Sequence, residues 1–257
     1  MDSLSCSLQG LHFAYAETPV LNGLDIAFEP GRLHGILGPN GSGKSTLLSV
    51  LAGHLRPSAG RATMGDRPVS GFSAAALARL CALVPQQADL NFPFTVFETV
   101  LMGRHPHIPR FSRPTAQDLV TVEESLAAMD LDPLRGRILA DLSGGEQQRT
   151  AVARGLAQDT PVLLLDEPTS SMDIRHTMAA MTELQRLAKT KNRTVITILH
   201  DLNLAARFCD RVFLLDKGRV HAYGNVAHTL TPDNIHAVFG VHVHILNTTS
   251  GPYIAYI

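Results

Sequence analysis

Gly38-Pro39-Asn40-Gly41-Ser42-Gly43-Lys44-Ser45 is the stretch on which the fold of this chain turns. An apolar run, Leu33 to Leu37, leads into it, and Ser45 to Leu55 leaves it with apolar residues at helical spacing. Strand, glycine-rich loop and helix form the setting in which the pattern G-x-x-x-x-G-K-[ST] holds phosphate. Gly38, Gly41 and Gly43 let backbone N–H groups turn inward, and the start of the helix adds positive potential. Lys44 then reaches the outer phosphates and Ser45 offers its hydroxyl to Mg²⁺. Pro39, Asn40, Ser42 and Thr46 complete the loop. The implied ligand is a nucleoside triphosphate with Mg²⁺.

Outward from the loop, Val162 to Leu165 reads as a buried strand that ends in Asp166 and Glu167. Ligands of an open parallel sheet gather at the carboxyl ends of its strands, so Asp166 is a candidate Mg²⁺ ligand. Glu167 is suited to orient or deprotonate a water that attacks the terminal phosphate. Without the phosphate loop, two acids after a strand would be ordinary turn formers. Leu142-Ser143-Gly144-Gly145-Glu146-Gln147-Gln148-Arg149 opens a further helix, and Ser143 with Glu146 has capping-box spacing. Capping accounts for the serine and glutamate. The two glycines instead allow an anion to approach the helix start, which implies a site completed by another subunit.

The phosphate loop, LSGGEQQR, LLLDEPTS and ILHD occur in this order over nearly the whole chain. The set resembles the ATP-binding cassette (ABC) transporter family. The resemblance implies an α/β fold with a P-loop NTPase (RecA-like) core, an N-terminal antiparallel β layer and an inserted α-helical subdomain. It implies that Ser143, Gly144, Gly145 and Glu146 clamp, in trans, the ATP held by a second copy. Gln86 would be the lobe-linking glutamine that senses Mg²⁺ and the attacking water, with neighbouring Gln87 as the alternative. Asp173 would lie in the segment coupling the two sites, His200 would contact the γ-phosphate, and Tyr15 would stack on adenine. By itself a histidine at a strand end is more often structural; its place in His200-Asp201-Leu202-Asn203-Leu204 argues otherwise. Glu146 stands where the family most often has glutamine, and Met172 where leucine is usual.

The pattern along the chain fits one cassette of 257 residues. Leu4 to Tyr15 and Leu24 to Phe28 alternate as strands before Pro30-Gly31. Residues 1–86 and 159–257 are expected to form the β layer and core, and residues 87–158 the helical subdomain, with helices over Ala116 to Met129 and Glu146 to Ala157. Val195 to Leu199 is a second buried strand, Ile174 to Ala188 a helix, and Arg211 to Tyr223 a hairpin turning at Lys217-Gly218. Val238 to Ile257 reads as short β-like segments.

With 45% hydrophobic residues the chain has material for a large core. Its apolar runs fall short of the roughly 18 to 20 residues that cross a bilayer. The start, MDSLSCSLQG, lacks the marks of a secretory signal, so the expected location is peripheral, on the cytoplasmic face of the cell (inner) membrane. Cys6, Cys81 and Cys209 suit reduced thiols. A net charge of −1, with no dense basic tract, argues against nucleic acid as a partner.

Leu90 to Val96, Val100 to Arg104 and HDLNLAARFCDR are similar to cassettes of importers for iron-siderophore, haem and cobalamin complexes. That branch implies a homodimer of ATPase subunits, integral membrane permease subunits and a periplasmic or surface substrate-binding protein. Phe92 and Phe94 would receive a helix of the permease; the alternative places both in the core of the helical lobe. His105 with His107, and His242 with His244, could share a strand face, yet no third ligand accompanies either pair, so solvent-facing imidazoles are expected. Rival readings are a cassette for a metal ion or oxyanion, an exporter cassette, and a nucleic-acid-associated ABC ATPase. The last would require a coiled-coil insertion or a second cassette, which the sequence lacks.

Overall fold

A computed structural model describes residues 3–86, 93–248 and 251–257. Two long antiparallel strands come first, β1 (Cys6–Tyr15) and β2 (Thr18–Phe28). Leu8, Leu11 and Phe13 on β1, with Leu21, Leu24, Ile26 and Phe28 on β2, are buried on one side, the pattern of a sheet that packs by one face. The second strand starts earlier than its Leu24 to Phe28 alternation indicates, since Pro19 and Gly23 conceal its first half. β3 (Leu33–Leu37) leads through the glycine loop into α1 (Lys44–Leu51), which ends before Leu55 because Gly53 takes φ +74°. β4 (Ala59–Met64) and β5 (Arg67–Pro68) complete the antiparallel layer in the order β2-β1-β4-β5.

After α2 (Ala74–Leu77) and β6 (Cys81–Val84), the chain enters a helical block of α3 (Val96–Leu101), α4 (Ala116–Ala128) and α5 (Gly144–Ala157). Each of these helices starts with a reciprocal capping box: Thr95 with Glu98, Thr115 with Asp118, Ser143 with Glu146. Arg104 links the block internally, donating to Asp118 Oδ1 at 2.9 Å and to the Ala157 carbonyl at 2.8 Å. The Thr115 hydroxyl and backbone N–H, with Arg104, hold the Asp118 carboxyl down at about 2.

The remaining elements are β7 (Val162–Asp166), α6 (Ile174–Lys191), β8 (Thr194–Ile198), α7 (Leu202–Phe208), β9 (Arg211–Asp216) and β10 (Arg219–Gly224). α8 (Val226–Thr229), α9 (Pro232–Phe239) and a hairpin of β11 (Val243–Thr248) and β12 (Gly251–Tyr256) end the described chain. Val238, expected in a β-like segment, lies in α9 with its side chain buried. The central sheet runs β10-β9-β3-β8-β7-β6, parallel except for β10. Both its faces are buried, so its strands read as continuous apolar runs. Leu163, Leu165, Val195 and Leu214 face one core shared with α3 to α7 and α9; Val162, Leu164, Ile196 and Phe213 face another shared with α1 and the antiparallel layer.

Candidate nucleotide site

Successive neighbours in the central sheet deliver the sequence-predicted residues to one edge. β3, β8, β7 and β6 lie in that order, and their carboxyl ends carry the glycine loop, His200, Asp166 with Glu167, and Gln86. A cleft of about 720 Å³ opens there, lined by Asn40, Gly41, Gly43, Lys44, Ser45, Thr46, Gln86, Glu167, His200 and Val20.

The loop is held by Ser42 N–H donating to Pro39 O at 3.2 Å and by Gly218 N–H donating to Ser42 O at 3.1 Å. At Gly38 a Cβ would stand 2.1 Å from the Leu215 carbonyl oxygen, so only glycine fits. Gly43 takes the left-handed φ of +99° at the cap of α1 and provides no side-chain acceptor. The first N–H groups of α1 are thereby left to an anion. Buried Lys44 donates from Nζ to the carbonyls of Gly38 and Pro39, each at 2.9 Å. Burial lowers its pKa, while the charges of Glu167 and Asp166 oppose that shift.

Asp166 lies at the end of β7 with Oδ1 buried and without a partner. Burial pushes its carboxyl above the usual range, opposed by the Ser45 hydroxyl and Lys44 and reinforced by Glu167. An orphaned carboxylate oxygen beside a hydroxyl is a hard-oxygen donor set, and it fits Mg²⁺. Glu167 takes φ +49°, a left-handed backbone at the strand end. Gln86 Nε2 donates to Glu167 Oε2 at 2.7 Å, and His200 Nε2 contacts Oε1. Of the two adjacent glutamines Gln86 makes this contact; Gln87 lies outside the described residues.

Ser143 and Glu146 form the expected box: Ser143 N–H donates to Glu146 Oε2 at 2.8 Å, and Glu146 N–H donates to Ser143 Oγ at 3.4 Å. The bonds from the Ser143 backbone N–H, foremost, and from the Ser143 hydroxyl to Glu146 Oε2 lower the Glu146 pKa. Ser143 to Glu146 line a different cleft, of about 520 Å³, with Arg149, Ser171, Met172, Asp173 and His176. It shares no lining residue with the loop cleft. Gly145 also has a reason within its own chain, since a Cβ there would meet Ser171 O at 2.7 Å. A Cβ on Gly144 would meet only Ser171 Cβ, at 3.9 Å. Asp173 caps α6, accepting from His176 N–H at 2.9 Å, and this bond foremost lowers its pKa.

Tyr15 does not line the loop cleft; its ring is 53% exposed at the end of β1 and stands edge-on to Phe13. Phe94 is 39% exposed, and Phe92 lies outside the described residues. His107 departs from the solvent-facing expectation: half-buried in a turn, its Nε2 donates to Gln158 O at 2.8 Å. His242 stacks on His236 at 4.1 Å between centroids. Two participants escaped the sequence reading. Gln148 Nε2 donates to Glu167 O at 3.4 Å and was legible within LSGGEQQR, whereas Val20 carries no local signal.

Residues 21–170 match the family model for the ABC transporter. A cobalamin import ATP-binding protein, BtuD, of Halobacterium salinarum is 41% identical over 94% of this chain, which spans 60% of that relative's length. A hemin import ATP-binding protein, HmuV, of Pseudomonas putida is 43% identical over 92% of each chain. Among solved structures, an inward-facing metal-chelate type ABC transporter superposes with a TM-score of 0.84 at 28% identity, covering 100% of this chain and 97% of that one. The dimeric cassette MJ0796 superposes at 0.76 with 27% identity, covering 86% and 98%. A family model spanning more than half of the sequence, together with a hemin-import relative matched along nearly its whole length, establishes that this chain belongs to the ABC transporter family.

Proposed function

We propose that the chain binds and hydrolyses ATP as the motor subunit of an importer for an iron complex, haem or cobalamin. The observation that carries the hydrolytic reading is Glu167, braced between Gln86 and His200 in the wall of the cleft that holds the phosphate loop. The phosphates occupy the free N–H groups at the start of α1, and Lys44 exchanges the Gly38 and Pro39 carbonyls for phosphate oxygens, a stronger charge-assisted pairing. Ser45 and Asp166, with Gln86 at the cleft wall, would hold Mg²⁺, whose charge offsets that of the phosphate oxygens. Glu167 accepts a proton from the water whose oxygen attacks the terminal phosphorus, and ADP leaves with the bridging oxygen. His200 orients that carboxylate and faces the same phosphate. Tyr15, exposed at the end of β1, would offer a ring for adenine to stack on.

A second copy completes the site. The Ser143 to Glu146 cleft and the loop cleft share no residues within one chain, so the exposed N-terminus of α5 serves the γ-phosphate held by a partner, with Asp173 beside it. Among the described residues no helix is long and apolar enough to cross a membrane. Permease subunits provide the pathway and a substrate-binding protein the solute recognition, with the cassettes peripheral on the cytoplasmic face. Phe94, partly exposed, would be met by a helix of the permease.

The test measures ATPase activity of the wild type and of Lys44→Ala, then uptake of a ferric siderophore, haem and cobalamin by proteoliposomes carrying the chain with the membrane permease that co-purifies with it. Loss of hydrolysis in a folded Lys44→Ala, with ATP-dependent uptake of one of these three compounds, is expected. Native hydrolysis in that variant would refute the site. Transport restricted to an unrelated solute such as a sugar would refute the importer branch.

A further inference from the structure

The geometry points to Asn203 as a positioning residue for His200, acting through the C-terminal hairpin β11–β12. This rests on the proposed hydrolysis. His200 follows β8, where Leu199 N–H donates to Ile36 O at 3.1 Å. Beyond that bond it is carried by the start of α7, a helix of 7 residues. So short a helix gains little stability from its own hydrogen bonds. Asp201 caps it, with Oδ1 accepting from Asn203 N–H at 2.7 Å and Leu204 N–H at 3.2 Å.

The Asn203 side chain takes no part in that cap. Its Nδ2 donates to Ile254 O at 3.1 Å, while Ile254 N–H donates to its Oδ1 at 2.7 Å. Both edges of the amide are used, which fixes its orientation and extends the β12 backbone by one side-chain pairing. Ile254 is 1% exposed and belongs to the core shared with α7. The hairpin, a separate two-stranded sheet, is marginal without such support. Each weak element thus anchors the other, and the first turn of α7 inherits a fixed distance to the core. His200, directly before the cap residue Asp201 of that turn, meets Glu167 across 33 residues of sequence. Asparagine matches the requirement because it presents one donor and one acceptor on a short stem; aspartate lacks the donor and leucine lacks both.

The experiment measures steady-state ATPase kinetics of the wild type, Asn203→Leu, Asn203→Asp, His200→Ala and the double variant Asn203→Leu/His200→Ala, with circular dichroism to verify folding. Asn203→Leu is expected to lower kcat about tenfold, equivalent to about 1.4 kcal/mol in the barrier. The KM for ATP should stay within about twofold, because the phosphate loop is untouched. Asn203→Asp, which keeps the acceptor for Ile254 N–H but sets a carboxylate oxygen against Ile254 O, should also lower kcat. On the His200→Ala background Asn203→Leu should cost nothing further, since its effect runs through the histidine. A native kcat in folded Asn203→Leu, a loss confined to KM, or a full extra loss on the His200→Ala background overturns the proposal.

Should the wild type show no ATPase activity, the hydrolytic reading fails separately and histidine-ring NMR decides the positioning. The ring resonance missing from His200→Ala should shift in Asn203→Leu in the same direction as in Glu167→Gln; an unmoved resonance overturns the role. If Asn203→Leu does not fold, Asn203→Asp carries both readouts.

Discussion

Replacing Glu167 by glutamine is expected to leave ATP bound while lowering hydrolysis about 10²- to 10⁴-fold, the usual loss when a general base is removed. The carboxylate accepts from Gln86 Nε2 at 2.7 Å on one oxygen and contacts His200 Nε2 on the other. An amide keeps one acceptor for His200 and turns its NH₂ to Gln86, whose own amide can rotate to present oxygen. The structural penalty is then at most about 1 kcal/mol, one net hydrogen bond. The catalytic loss corresponds to about 3 to 5.5 kcal/mol, so chemistry and not folding dominates. Lys44, Ser45 and Asp166 are unchanged, and ATP should persist. The assay combines steady-state hydrolysis, nucleotide retention on a filter, and size-exclusion chromatography with ATP or ADP. A dimer is expected with ATP alone, and adding Ser143→Arg should abolish it by placing bulk and charge at the α5 N-terminus. Hydrolysis at the native rate would refute Glu167 as the base; an inactive variant that holds ATP yet stays monomeric would refute the two-chain site.

Other perturbations separate the remaining parts of the machine. Gly145→Ala should abolish the ATP-dependent dimer while ATP binding by the single chain survives, because the new Cβ would stand 2.7 Å from Ser171 O and displace the segment before Asp173; an unchanged dimer on size-exclusion would contradict this. Arg104→Met should destabilise the fold by about 3 kcal/mol in urea unfolding, since it removes the cation paired with buried Asp118 Oδ1 and the donor to the Ala157 carbonyl. A loss under about 1 kcal/mol would show that the pair is dispensable. His34, buried, donates from Nε2 to Glu29 O at 2.9 Å and leaves Nδ1 without a partner. Burial foremost lowers its pKa, so the unfolded chain takes up a proton first as pH falls. Its stabilising contribution is present above the ordinary value of 6.5 and is lost as pH drops toward the lowered one. Between about pH 7.5 and 5.5 the wild type should therefore lose stability more steeply than His34→Leu. Parallel slopes would assign the acid sensitivity to other groups.

Local chemistry made part of this protein legible in one dimension. Gly38 to Ser45 between an apolar run and a helical period, the Ser143–Glu146 box, and the turn at Lys217-Gly218, with φ of +46° and +71°, are set by residues within a few positions of one another. Such features survive in the sequence because sterics and short-range hydrogen bonds decide them. The bracing of Glu167 is different in kind. Gln86 is 81 residues from it and His200 is 33 away, and nothing local makes them neighbours. Their meeting depends on β8 lying between β3 and β7, and on β6 lying beside β7. The same holds for Val20 in the cleft wall, for Ser171 against Gly145, and for Asn203 against Ile254. Sequence by itself determined the motifs, most of the strand and helix types, and the kind of ligand. The tertiary structure decided which side chains share a cleft, because strand order follows from burying both faces of one sheet at once, a condition imposed by the whole chain and carried by no single segment.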